Sequence, residues 1–145
     1  MRQAEGSTAE ATTSALPGQH AKRIETTVQR LVRSTAVVQH VKELHVFQCQ
    51  VCGIRIETPS GPYAKGAHIR ALGRPHDGPD EPSNVLCLCP NDHVRFDSGG
   101  IYLDDGLSVV HAVTGATAGK LRRAPGHAIA LGHVGYHRGI HASPA

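Results

Sequence analysis

From Thr27 to His45 the large apolar positions are Val28, Leu31, Val32, Val38, Val41 and Leu44, with Thr35 on the same stripe. That is a 3.6-residue period, and it predicts a helix that Thr26 or Thr27 can cap. Arg30, Arg33 and Lys42 lie largely off the stripe, as expected of a packing helix whose arginines can also meet phosphate. After Phe47 the period changes. Ile54-Arg55-Ile56-Glu57-Thr58 alternates as a short strand, Pro59 to Pro62 reads as a turn, and Tyr63 to Ile69 reads as a second strand with His68 near its end. Residues 71–83 are rich in Pro and Gly and predict a loop. Asn84 to Cys89 is a short apolar strand. Pro90 then opens a helix carrying His93, Val94, Phe96 and Asp97, which Ser98-Gly99-Gly100 ends. Ile101-Tyr102-Leu103 and Leu107 to His111, joined through Asp105-Gly106, predict a hairpin. Residues 115–119 read as a turn, and no element is assigned to residues 120–145. The class is α+β, divided into a tail or linker remnant (1–22), a linker or packing helix (23–46), a core (47–101) and a C-terminal hairpin with a tail (102–145).

Composition changes this picture in one respect. Only 3% of the 145 residues are aromatic, and Gly (16) and Pro (9) are plentiful, so one small domain must be held with few large core side chains. A structural metal is the usual remedy, and four Cys suffice for one zinc. Residues 1–20 carry no apolar run, and no segment approaches membrane-spanning length, which leads us to expect a cytoplasmic, membrane-free protein. In a reducing compartment Cys-x-x-Cys favours metal over disulfide, and a redox use lacks the βαβ pattern it requires. The net charge is +3, but Lys22 to Arg74 holds nine basic residues against three acidic ones. That imbalance suits a polyanion such as DNA, and a solvated basic surface accounts for it equally well.

The chemistry gathers between Cys49 and Asp97. Cys49-Gln50-Val51-Cys52-Gly53 is one half of a zinc knuckle, its Gly allowing the tight turn. Cys89 is the natural third ligand. The fourth is open between Cys87, favoured slightly because thiolate suits structural zinc, and Asp92, which stands where a second Cys-x-x-Cys would place its last Cys. Cys87 can equally be a buried strand residue. Interleaved with these half-sites are His68, Asn84 and His93. A neutral imidazole can take a proton from water near pH 7, and a divalent metal can neutralise a phosphate and stabilise a leaving oxygen. His93 and Asp97 are four residues apart, hence on one helical face, and can share such a metal. Asn84 can hydrogen-bond the backbone near His68.

Cys49-x-x-Cys52, Ala67-His68-Ile69, Asn84, Leu88-Cys89-Pro90 and His93 resemble the HNH endonucleases of the ββα-metal fold over about residues 47–101. The wording of residues 61–70, 73–80 and 84–97 is similar to HNH domains fused behind YDG/SRA modified-cytosine readers in modification-dependent restriction enzymes, especially of actinomycetes. The stretch from Thr26 to His45 resembles their linker helix. The resemblance implies a small zinc-stapled ββα-metal domain and a restriction-like DNA endonuclease. In it His68 is the general base, Asn84 a positioning residue and His93 a ligand of Mg2+, Mn2+ or a similar ion. Many such motifs carry an acid or a His just before the base, as a metal ligand. Ala67 stands there, which leaves His93, Asp97 and water for the metal. The family's modified-base reader would be a separate partner, and cutting both strands would take a homodimer or two encounters. The rival expectation is an inactive zinc module that binds DNA or a protein, and a weaker one is a nuclease toxin.

Overall fold

The structure is a computed structural model and describes residues 35–141. These lie in one compact unit, Ser34–Ala145. The expected tail and the first part of the expected helix, up to residue 34, lie outside the described residues.

Residues 35–44 are helical (α1), and Val41 is its fully buried contact. Val46 and Phe47 follow with φ of 53° and 61°, turning the chain out of the helix towards the knuckle. Two short antiparallel pairs come next. Ile56–Thr58 (β1) pairs with Gly61–Tyr63 (β2), and Lys65–His68 (β3) pairs with Val85–Leu88 (β4). In the second pair Gly66 lies opposite Cys87 and His68 opposite Val85. Gly66 is where α1 crosses the sheet, since a Cβ there would collide with the Val38 side chain. Pro90–Asp97 (α2) packs on β3, β4 and Ile101–Leu103 (β5).

The expected C-terminal hairpin forms, β5 pairing with Ser108–His111 (β6), but it is part of a larger sheet. Thr117–Lys120 (β7), expected to be a turn, adds a third strand to β6. A helix that the sequence reading did not assign, Leu131–His141 (α3), packs on β5.

β4 is buried on both faces and divides the core in two. Leu86 and Leu88 face the larger cluster with Phe96, Ile101, Leu103, Val109 and Val134. Val85 and Cys87 face Val41 and Ala64, under α1. Two-sided burial explains why the strand reads as a continuous apolar run.

Candidate functional site

The Cys49–Gly53 turn hydrogen-bonds to itself. Gly53 N–H donates to Cys49 O at 2.8 Å, and the amides of Val51 and Cys52 point at Cys49 Sγ at 3.4 and 3.5 Å. Gly53 has φ 81°, which a residue with a Cβ adopts only with strain, and a Cβ there would also meet the Arg122 guanidinium. Gln50, fully buried between the two cysteines, fixes the turn to its neighbours. Its N–H donates to Cys87 O, its Oε1 accepts from Cys87 N–H, and its Nε2 donates to Arg122 O, each at 2.8 Å.

Cys89 is the N-cap of α2, with Pro90 in the first turn and Asp92 at the third helical position. An acid at that position reaches back to the cap, as in a capping box. Here it arrives among thiols. Cys49 Sγ lies 3.2 Å and Cys89 Sγ 3.4 Å from Asp92 Oδ2, and Cys52 Sγ lies 3.8 Å from Cys89 Sγ. All four ligand atoms fall within 4.8 Å of one another. Ligands at zinc–sulfur and zinc–oxygen bond lengths define a tetrahedron with edges of about 3.6–3.8 Å. The set Cys49, Cys52, Cys89 and Asp92 therefore fits one zinc ion.

Cys87, the slightly favoured fourth ligand in the sequence reading, is not among them. It is fully buried under α1 beside Val41 and Val85. The strand ends at Leu88, so the turn into α2 re-aims Cys89 and breaks the alternation that would have put Cys87 and Cys89 on one face.

Burial pushes the Cys52 thiol up to about 12, and burial also raises Cys89. Burial alone would raise Asp92, but hydrogen bonds from Cys49, Arg95, Cys52 and Cys89 outweigh it and hold the carboxyl below its usual range. The Arg95 Nη1 lies 2.9 Å from Asp92 Oδ1.

His68 stands at the end of β3, and its Nε2 is 3.0 Å from Asp80 Oδ1. Both side chains are mostly covered. Asp80 cannot be singled out from the sequence, because nothing local in a Pro- and Gly-rich loop shows that it folds back onto a residue twelve positions earlier. Ala67, beside His68, is buried in the larger core with Phe96 and offers no ligand atom. Asn84 is completely buried. Its Oδ1 accepts from Arg70 N–H at 2.8 Å, and its Nδ2 donates to Arg70 O at 2.9 Å and Pro79 O at 2.8 Å. It thus holds the two ends of the 70–79 loop together.

Inside that loop Arg70 Nε donates to His76 O at 2.6 Å, and Gly78 N–H to Ala71 O at 2.7 Å. Tyr136 of α3 closes the outside, 2.7 Å from His76 Nδ1 and with its ring 4.2 Å below the Arg70 guanidinium.

His93 and Asp97 share one face of α2, with Nε2 and Oδ2 3.1 Å apart. A nitrogen and a carboxylate oxygen, both partly exposed, fit a divalent cation that fills its remaining positions with water and substrate oxygens. Among the described residues the thiol cluster is the one group of three or more ligands already gathered.

The model of the HNH endonuclease family described as HNH_2 matches residues 49–104. Among solved structures, a modification-dependent TagI restriction endonuclease is similar, with a TM-score of 0.73 and 56% identity over 74% of this chain. The chain spans 38% of that enzyme's length. No curated protein matches. The knuckle, the β3–β4 pair and α2 all lie within residues 49–104, the part of the chain that matches the HNH endonuclease family.

Proposed function

We propose that the chain is a metal-dependent DNA endonuclease of restriction type. His68 acts as general base, Asn84 as positioning residue, and His93 with Asp97 as ligands of the catalytic cation. Cys49, Cys52, Cys89 and Asp92 hold a structural zinc. The observation that carries this reading is that His68 ends β3 and His93 lies on α2, which packs against β3 and begins at the thiol cluster.

His68 would take a proton from water as that water attacks phosphorus. Asn84 holds the backbone just beyond His68, so the imidazole meets substrate from a fixed base. A divalent cation such as Mg2+ or Mn2+ would supply charge neutralisation at the phosphate and at the leaving 3′-oxygen. The products are then 5′-phosphate and 3′-hydroxyl ends. The basic stretch from Lys22 to Arg74 supports DNA as substrate. A separate modified-base reader, a homodimer for double-strand cutting and a cytoplasmic location belong to the same proposal. No helix among the described residues is long and apolar enough to cross a membrane.

The test is nicking of methylated and unmethylated supercoiled plasmid across Mg2+, Mn2+, Co2+ and Ni2+, with His68→Ala alongside. Metal-dependent nicking that disappears in the variant is expected. Equal nicking by the variant would remove His68 as base. A folded, zinc-loaded protein that binds plasmid and never nicks it would instead be a binding module.

A further inference from the structure

We infer that Asp80 is a positioning residue for His68 and that Asn84 sets the geometry of the pair. The inference rests on His68 being the base. His68 Nε2 and Asp80 Oδ1 are 3.0 Å apart, and a carboxylate can only accept, so the ring proton sits on Nε2. In the neutral ring Nδ1 is then the unprotonated nitrogen, the one able to receive a proton from water. No other hydrogen bond engages the ring among the described residues. A neutral imidazole left to itself would populate both tautomers, and only one leaves the lone pair on Nδ1.

The pair is twelve residues apart along a loop, so something must fix the loop. Asn84 does so from both sides. It binds the backbone N–H and C=O of Arg70, two residues after His68, and the C=O of Pro79, the residue before Asp80. Ile69 N–H also donates to Asn84 O at 2.8 Å. Gly78 lets the loop close, since a Cβ there would collide with Arg70 O. The asparagine of the motif therefore acts on both members of the pair through backbone, and through hydrogen bonds that bury it completely.

The experiment uses the zinc-loaded full chain, labelled with nitrogen-15, at pH 8. Long-range proton–nitrogen spectra read each ring's tautomer, and the His68 signals are those lost in His68→Ala. The parent His68 should be in the Nε2–H form. Asp80→Asn should keep that form, because an amide oxygen also accepts, whereas Asp80→Ala should give a mixture. In the plasmid assay Asp80→Ala should lower kcat about 10- to 100-fold with KM little changed, with Asp80→Asn in between. Zinc content and the amide spectrum check that each variant folds.

An unchanged tautomer in Asp80→Ala would overturn the inference, as would a loss confined to KM or to metal affinity. If the parent never nicks but the tautomer still depends on Asp80, the base assignment falls and the pairing stands.

Discussion

Replacing Asn84 with Ala tests whether the loop that bears Asp80 is held by this one side chain. Asn84 has no exposed surface and makes three hydrogen bonds of 2.8, 2.9 and 2.8 Å, all to backbone of Arg70 and Pro79. Truncation leaves one N–H and two C=O groups without those partners. A buried polar group left unpaired costs about 1–3 kcal/mol. Arg70 and Pro79 are themselves only half-buried, so water can reach part of the gap and the low end applies to each. The expected total is about 2–4 kcal/mol. With a urea slope of about 1–3 kcal/mol per molar for a domain of this size, the unfolding midpoint should fall by about 1–2 M. The assay is urea unfolding of the zinc-saturated protein followed by circular dichroism, since the chain has no Trp. Asn84→Asp keeps the shape but aims a carboxylate at two carbonyl oxygens, and it should unfold at least as readily as Asn84→Ala. A midpoint for Asn84→Ala within about 0.3 M of the parent, at unchanged slope, would refute the reasoning and leave Asn84 without a structural duty.

Two further outcomes follow from other parts of the molecule. Cys49→Ser and Asp92→Ala should each lose bound zinc by mass spectrometry of the metal, whereas Cys87→Ala should keep one zinc per chain, and loss of zinc in the last variant would return Cys87 to the ligand set. The buried pair His45 and His127 predicts acid sensitivity. His127 Nε2–H donates to Pro82 O at 2.9 Å, so its Nδ1 accepts from His45 Nε2–H at 2.7 Å and both rings are neutral. Burial first, and His127 second, push His45 down to about 4, and burial lowers His127 as well. A histidine lowered in the folded state takes its proton first in the unfolded chain. The stabilisation is therefore complete above about pH 6.5 and is lost as pH falls towards 4. Between pH 7.5 and 5 His45 alone should account for about 2 kcal/mol. His45→Gln should show a correspondingly shallower pH dependence of its urea midpoint, with the zinc contribution common to both proteins; equal slopes would exclude this source.

The reading of the sequence and the folded chain part at identifiable residues. The strands around His68 and Cys87 were legible because period-two and continuous apolar runs are local properties, and α2 was legible because Pro90 and Ser98-Gly99-Gly100 punctuate it. α3 was not, since Gly132, Gly135 and Gly139 weaken its helical propensity and only Val134 and His137 are deeply buried along it. His137 docks by stacking on Phe96, with ring centroids 3.8 Å apart, and by donating from Nε2 to Phe96 O at 2.8 Å. Those are tertiary contacts. β7 was hidden in the same way, because Thr117–Lys120 is exposed and carries no apolar pattern, and only its pairing with β6 makes it a strand.

By itself the sequence determined which residues could do the chemistry: three metal-type thiols and a fourth, an acid behind Cys89, and His68, Asn84 and His93 in order. Ligand type and spacing are covalent facts, and they limit the reactions available. Tertiary structure decided which of them meet. It turned Cys87 towards α1 and Asp92 into the thiol cluster, because the chain turns at Cys89. It also brought Asp80 to His68, because a buried amide fastens the 70–79 loop at both ends. Pairings of that kind depend on where a loop closes, and closure is fixed by hydrogen bonds and packing between segments that no local pattern encodes.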